Sequence, residues 1–158
     1  GLGIALLEAR GCTAEDFALW HPGGALGRKL LLKVEAMMHT GERIPVVAPG
    51  TALIDALLVM NTKGLGLTTI CGDRQKLLGI FTDGDLRRAL HSDIVDLRHT
   101  AIDDVMTSNG NTVSKHMLAA EALAIMEHKH ITALVVADSE QRVEGIVHLH
   151  DILKAGVA

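Results

Sequence analysis

The sequence predicts a mixed α+β fold in which one β-α-β-β-α unit occurs twice, related by a pseudo-two-fold axis. A set of residue types recurs with a constant displacement of 66 positions. The recurring residues are Ala56-Leu57, Met60, Lys63, Gly79-Ile80 and Asp85, which return as Ala122-Leu123, Met126, Lys129, Gly145-Ile146 and Asp151. Such a displacement indicates a duplicated unit. Because a half of about 60 residues is marginally stable alone, the copies are expected to pack together and form a ligand-binding cleft.

The composition is that of a globular protein and excludes several classes. Of the 158 residues, 48% are hydrophobic and 22% charged, and the apolar runs are too short to span a membrane. Aromatic residues make up 2% and the net charge is −4, which argues against a nucleic-acid-binding surface. Cys12 and Cys71 form no metal or redox motif. Without a signal peptide, a cytoplasmic location is expected, with neither a membrane nor a nucleic acid as partner.

The first 33 residues have the character of a helical end and a linker. Gly1–Arg10 resembles the last turns of an amphipathic helix without an initiating Met, so we expect the natural chain to extend further upstream. Thr13 can cap a short helix to Trp20, which His21-Pro22-Gly23-Gly24 ends. The basic residues of Ala25–Lys33 indicate a solvated linker.

The first repeat carries alternating helix and strand patterns. Apolar residues at Leu53, Ala56, Leu57 and Met60 follow helical spacing, and Gly72-Asp73 favours a turn between two strands. The predicted elements are a helical turn at Glu35–Met38, an extended Ile44–Val47, a helix at Thr51–Lys63, strands at Leu67–Cys71 and Leu77–Thr82, and a helix at Asp83–His91.

The second repeat has the same predicted order, after a linker at Ser92–Thr100 that contains neither Gly nor Pro. The predicted elements are a turn at Asp103–Met106, an extended Thr112-Val113, a helix at Met117–Lys129, strands at Thr132–Ala137 and Arg142–His148, and a final helix to Lys154.

Several of these segments resemble a pair of CBS domains (a Bateman module) over about Val34 to Ala158. The resemblance rests on the turns at Met38 and Met106, the strand HITALVVAD and the turn GIFTDGD. HPGGALGRKLLLKV, FTDGDLRRAL and HLHDILKAGVA are in addition similar to the C-terminal part of D-arabinose 5-phosphate isomerases. That resemblance implies three parts: residues 1–27 as the end of a sugar isomerase (SIS) domain and linker, 28–93 as the first CBS domain, and 94–158 as the second.

The isomerase resemblance also implies a role for the parent enzyme. Such enzymes interconvert ribulose 5-phosphate and arabinose 5-phosphate for the synthesis of Kdo and lipopolysaccharide. His21 matches an active-site residue of the SIS domain, but its site is incomplete here. Because a sugar isomerase needs a closed pocket with a base and phosphate donors, the 158-residue chain is expected to be inactive.

The strongest candidate site is the segment Thr82-Asp83-Gly84-Asp85. It completes the pattern Gly-hydrophobic-x-Thr/Ser-x-x-Asp, through which CBS domains bind a ribose. An ionised carboxylate can accept hydrogen bonds from two vicinal hydroxyls. The alternative is an ordinary helix N-cap followed by acidic first-turn residues, which uses the same residue types. The sequence leaves both interpretations open.

The second copy departs from this pattern, which weakens the case for two equivalent sites. Asp151 is retained, but His148 stands where the first copy has Thr82. His148 is either a donor to a phosphate or carboxylate or a structural histidine. By resemblance, main-chain groups of Pro45, Val46, Val47 and Thr112 lie where CBS domains hold the base. Arg87, Arg88 and Lys154 are candidate phosphate donors or ordinary surface charges.

Two classes of function follow, and neither requires a cofactor. The first is a regulatory module that senses AMP, ATP or a cytidine nucleotide such as CMP-Kdo. The second is an architectural module without a physiological ligand. The pairs His148/His150 and His128/His130 lack a third ligand at a recognised spacing, so no metal site is expected. Apolar helix faces at Leu53/Leu57 and Leu118/Ala122/Ile125 suggest a homodimer, with a tetramer in the full-length enzyme.

Overall fold

The computed structural model describes residues 30–92, 96–108 and 110–157, which form two mixed three-stranded sheets with helices. His21 and the helix predicted at 13–20 lie outside the described residues. The first repeat contains β1 (Val46–Val47), α1 (Leu53–Lys63), β2 (Leu67–Cys71), β3 (Leu77–Thr82) and α2 (Asp83–His91). The second contains β4 (Thr112–Val113), α3 (Ala119–Lys129), β5 (Ala133–Ala137), β6 (Val143–His148) and α4 (Leu149–Lys154).

The two sheets have the same topology, which confirms the predicted repeat. In each sheet the short first strand runs parallel to the central strand, and the central strand pairs antiparallel with the third. The central strands β2 and β5 are buried at every position because they lie between two neighbours. Lys76 forms a bridge with its own counterpart, Arg142, so equivalent positions meet between the two repeats.

The chain that leads into each repeat packs against the other repeat. The first crossing segment (residues 33–39) bridges from Lys33 to Leu118 and from His39 to Ile146. The second crossing segment (residues 100–107) bridges from Ala101 to Ala52 and from Thr107 to Ile80. The crossing segments contain the predicted turns, which the structure places as 3-10 turns at Val34–Ala36 and Ile102–Asp104. Each repeat is therefore completed by the crossing segment that leads into the other repeat.

The crossing segments explain why both long helices begin two residues later than predicted. Ala52 and Leu118 remain extended because each forms a β-bridge with a crossing segment. The first helical amides then bind carbonyls in or next to those segments: Leu53 N–H donates to Thr100 O at 2.7 Å, and Ala119 N–H donates at 2.8 Å to the O of Leu32, the residue before the first crossing segment. These bonds replace a side-chain cap, since helix amides at the N-terminus lack intrahelical partners.

Three apolar clusters hold the described part of the chain together. One lies within each repeat and includes a residue of the crossing segment, Val34 in the second repeat and Ile102 in the first. The third joins the repeats, which confirms that the two copies pack together. Its buried residues are Ile44, Leu65, Leu67, Cys71 and Ile80 from the first repeat and Ala133, Val135, Val143 and Ile146 from the second.

Two residues of the predicted dimer faces belong to these cores. Leu53 and Ala122 are fully buried within the chain, so they cannot form a free surface. In the part of the chain that the structure describes, the large apolar side chains exposed on helices are instead Leu58, Leu90 and Leu153. Within the described residues, no helix is long and apolar enough to cross a membrane.

Candidate functional site

The turn between β3 and α2 places Thr82 and Asp85 in a reciprocal capping box. Asp85 N–H donates to Thr82 Oγ1 at 3.1 Å, and Thr82 N–H donates to Asp85 Oδ2 at 2.9 Å. Both residues therefore satisfy amides at the start of α2. The helix-cap interpretation is confirmed, and ribose binding by the same pair stays a prediction.

The Asp85 carboxylate is buried and has further donors around it. Only 8% of the residue is exposed. The Thr82 hydroxyl lies 3.1 Å from Oδ2, the Thr107 hydroxyl donates to Oδ1 at 3.2 Å, and the exposed Arg88 guanidinium also binds Oδ1. Two hydroxyls and one cation thus converge on a single carboxylate. A ribose at this position has to share or replace these partners.

The second copy also has a side-chain cap at this turn, but without the reciprocal capping box and with different chemistry. His148 ends β6, and its Nδ1 accepts a hydrogen bond from His150 N–H at 3.1 Å, so the imidazole caps α4 as Thr82 caps α2. The rings of His148 and His150 lie 4.7 Å apart. Asp151 is bound by His39 Nε2 at 2.6 Å, where the first copy has the Thr107 contact. This arrangement favours a structural role for His148.

Burial is the main cause that lowers the pKa of His148 below its ordinary value. The neighbouring His150 and His39 also lower this pKa, whereas the nearby Asp151 opposes the shift. The neutral form is the one that the cap requires, because Nδ1 can accept a hydrogen bond only when it carries no proton. Protonation of His148 therefore removes the cap.

We expect His148→Thr to reduce the acid sensitivity of the fold. Because the pKa is lowered in the folded state, the unfolded chain binds more protons below about pH 6.5, and stability falls as pH falls through that range. Threonine caps without titrating, as Thr82 does. The melting temperature of wild type should drop more between pH 7.5 and 5.5 than that of the variant. The exposed helical His128→Thr is the control, and equal drops in wild type and His148→Thr would contradict this role.

The glycine of each motif makes room for a crossing segment. A Cβ atom on Gly79 would lie 2.4 Å from Met106 Sδ, and one on Gly145 would lie 2.8 Å from the His39 carbonyl oxygen and 2.9 Å from Met38 Sδ. Within each motif, the glycine and the aspartate therefore contact one and the same crossing segment. This is the second crossing segment for Gly79 and Asp85 and the first for Gly145 and Asp151. This gives the motif a packing role in addition to its predicted ligand role.

Among the described residues, the hydrogen bonds of Pro45 and Thr112 join them to partners other than the two carboxylates. The Pro45 carbonyl accepts hydrogen bonds from Thr69 N–H and Thr69 Oγ1, at 3.0 and 2.7 Å. Val46 and Val47 form β1, and the Thr112 hydroxyl lies 3.4 Å from Gln141 Oε1. Asp83 lines a cavity of about 360 Å³ with residues of α1 and α2. A larger groove of about 550 Å³ contains none of the predicted residues; it is lined by Gly72, Asp73, Arg74, Lys76, Leu78, Glu140 and Arg142.

Sequence reasoning missed His39 and Thr107, although a signal was present. Each residue directly follows the methionine of a predicted turn, Met38 or Met106. Their spacing of 68 positions differs from the general displacement of 66, so they were not recognised as a pair. Among the residues that the structure describes, no three His, Cys, Asp or Glu side chains form a group that could hold a metal ion.

Comparison with known proteins gives one family and a consistent set of relatives. The family model described as CBS domain matches residues 34–92 and 102–158. The arabinose 5-phosphate isomerase KdsD of Pseudomonas aeruginosa is 60% identical over 156 residues, which is 99% of this chain and 48% of that protein. The chain thus spans about half the length of the curated relatives it matches.

Solved structures of CBS proteins have the same fold. CBSX2 in complex with AMP aligns with a TM-score of 0.69 at 22% identity, covering 80% of this chain and 96% of that one. The CBS domain pair of protein MJ0100, in complex with 5′-methylthioadenosine and S-adenosyl-L-methionine, aligns with a TM-score of 0.68 at 22% identity, covering 78% and 94%.

Proposed function

The chain belongs to the CBS domain family, and we propose that it is a regulatory module that binds a ribonucleotide through the motif of its first repeat. The observation that carries the proposal is the Asp85 carboxylate at the β3–α2 turn, with the Thr82 and Thr107 hydroxyls and the Arg88 guanidinium around it. A carboxylate can accept from ribose hydroxyls, and a guanidinium can bind a phosphate. The adenosine ligands of two structural neighbours support this class of ligand.

The parent protein in this proposal is an arabinose 5-phosphate isomerase, as in the curated relatives. The module and the catalytic part of the enzyme could be arranged relative to each other in two ways. A ligand in the module would regulate the enzyme if it bound one of these arrangements more tightly than the other. The proposal specifies the ribose rather than the base. AMP and ATP are the first probes because of the neighbours, and CMP-Kdo is included because the isomerase family feeds Kdo synthesis. A cytoplasmic location remains part of the proposal.

We expect Asp85→Ala to weaken nucleotide binding about thirty-fold or more. The substitution removes the acceptor of the ribose hydroxyls, and a hydrogen bond to a charged group contributes about 2 kcal/mol. Calorimetric titration with AMP, ATP, CMP and CMP-Kdo measures the effect at a temperature where the variant is folded. Because Asp85 is also half of the capping box, the melting temperature of the Asp85→Ala variant should be lower than that of wild type. Asp151→Ala should weaken binding at the first repeat less.

The matched control is Asp55→Ala, which removes an exposed carboxylate from the first turn of α1. It tests whether loss of negative charge at a helix start changes affinity by itself. Clear binding by wild type and unchanged affinity in folded Asp85→Ala would place the ligand elsewhere. Absence of binding for all four nucleotides would refute the regulatory proposal.

The second candidate function is an architectural module that dimerises through its helices. The exposed Leu58, Leu90 and Leu153 favour it, because large apolar side chains on helix surfaces are typical of interaction sites. A homodimer is therefore part of both proposals, with a tetramer in the full-length enzyme. The architectural function alone would give a dimer in sedimentation together with no heat of nucleotide binding.

A further inference from the structure

The main-chain carbonyl before the first strand of each sheet is not equally free in the two repeats. In the first repeat this carbonyl belongs to Pro45, whose main chain is predicted to hold a base. It accepts hydrogen bonds from Thr69 N–H at 3.0 Å and from Thr69 Oγ1 at 2.7 Å. Because a carbonyl oxygen has two lone pairs, neither remains for a ligand. Thr69 is fully buried, so a ligand that displaced its hydroxyl would leave that donor without an acceptor.

The corresponding carbonyl of the second repeat belongs to Asn111, 66 positions later. Val135 pairs with Thr112 in the same register in which Thr69 pairs with Val46. Valine has an amide N–H but no hydroxyl, so Val135 can occupy at most one lone pair of the Asn111 carbonyl. Among the residues that the structure describes, no side chain donates to this oxygen. At least one acceptor position of the Asn111 carbonyl therefore stays open.

The surroundings of the two carbonyls differ in the same direction. Pro45 is buried, whereas Asn111 is exposed. The residue before Pro45 is Ile44, which is 7% exposed and packs in the cluster that joins the repeats. The residue before Asn111 is Gly110, which is half-buried and has no side chain to place there. A ligand can therefore reach the second carbonyl from solvent, but not the first.

The open carbonyl directly follows a stretch of chain that contacts the first-repeat site. The Thr107 hydroxyl donates to Asp85 Oδ1 at 3.2 Å, and the Thr107 main chain forms both hydrogen bonds of a bridge with Ile80, at 2.8 and 2.9 Å. A Cβ atom on Gly110 would lie 2.6 Å from Ile80 Cδ1, so the chain is still beside β3 one residue before Asn111. Asp85 and Asn111 are therefore neighbours across the two repeats, and one ligand can contact both.

We propose that the chain binds a single ribonucleotide, with the ribose at Asp85 and a donor group of the base on the Asn111 carbonyl, while the mirrored position at Pro45 takes no base. The proposal rests on ribonucleotide binding by the first-repeat motif, as proposed above, and adds the base side of that site. Thr69 and Val135 make the two repeats unequal, because a hydroxyl closes one base position and its absence leaves the other open. Val135 is thus a specificity-determining residue outside the motif.

The test is calorimetric titration of the whole chain with AMP and CMP-Kdo, which gives stoichiometry and affinity together. Wild type is expected to bind one nucleotide per chain. Val135→Thr gives the Asn111 carbonyl the hydroxyl donor that it lacks, and it should weaken binding about tenfold, the effect of one lost hydrogen bond. Val136→Thr is the matched control, because it adds the same hydroxyl at the next buried residue, which packs in the cluster within the second repeat. Its affinity should stay within about twofold of wild type.

Carbonyl-carbon NMR provides a second measurement that needs no variant, so the inference stays testable if Val135→Thr does not fold. Saturating nucleotide should shift the carbonyl resonance of Asn111 and leave that of Pro45 in place. The opposite pattern, or no shift at either carbonyl, would refute the inference.

The outcomes separate this inference from the proposed function. If wild type binds neither probe, both are refuted. If two nucleotides bind each chain with similar affinity, the single-site inference fails and the proposed function stands. The same holds if one nucleotide binds through Asp85, as its loss in Asp85→Ala would show, but folded Val135→Thr binds it as tightly as wild type.

Discussion

Truncation of Ile102 to alanine is expected to lower the free energy of unfolding by about 2 to 5 kcal/mol, the range for large-to-small substitutions in cores. Ile102 has no exposed surface and lies in the 3-10 turn that precedes the second repeat. Its side chain nevertheless packs in the core of the first repeat with Leu53 and Phe81. The substitution leaves a cavity that the surrounding strands cannot fill, and it weakens the docking of the second crossing segment.

Urea denaturation gives this free energy from the midpoint and slope. Leu58→Ala is the control, measured at a protein concentration at which the chain is monomeric, because it removes a similar apolar volume from a side chain that is 61% exposed. The control should change stability by less than about 0.5 kcal/mol. A cost below about 1 kcal/mol for Ile102→Ala would mean that the second crossing segment does not complete the first repeat.

The elements that the sequence predicted correctly are those determined by local pattern. The strands Leu67–Cys71 and Leu77–Thr82 and the helix Asp83–His91 have the predicted bounds. Their ends are marked by Gly72, by the capping Thr82 and by the loss of apolar periodicity, so short-range chemistry is sufficient. The same elements recur in the second repeat because the same residue types recur.

The crossing of the two segments could not be predicted because it depends on tertiary contacts. A 66-residue displacement shows that a unit was duplicated, but it does not show which copy each turn packs against. Ala52 and Leu118 have ordinary helical neighbours in the sequence and are held extended only by bridges to distant residues. The late helix starts follow from that arrangement rather than from helix propensity.

Only part of the candidate site could be predicted, because the rest of it also depends on tertiary contacts. The motif located Thr82, Asp85 and Asp151, and local capping preferences explain where the first two lie. The partners of the carboxylates, Thr107 and His39, come from the crossing segments and are 22 and 112 positions away in sequence. No local pattern connects residues so far apart.

Substitution of Gly145 by alanine is the second change with a large expected effect, a loss of about 3 kcal/mol. Gly145 lies inside β6, where alanine can adopt the backbone conformation, so the cost is steric. The new Cβ would approach the His39 carbonyl oxygen to 2.8 Å. A carbonyl hydrogen bonded to Ile146 N–H cannot rotate away as a side chain can, so the first crossing segment must shift as a whole.

Gly79→Ala provides the matched comparison, because the three atoms nearest to its new Cβ would all belong to the Met106 side chain, with Sδ at 2.4 Å. A methionine is flexible, so Gly79→Ala should cost less than Gly145→Ala. Double-mutant cycles measured by urea denaturation separate the two cases. Met106→Ala should relieve most of the cost of Gly79→Ala, whereas Met38→Ala should relieve little of the cost of Gly145→Ala, because the His39 carbonyl remains. Equal relief in both cycles would show that side chains alone limit both sites, and that the main chain of the first crossing segment can move away from β6 at little cost.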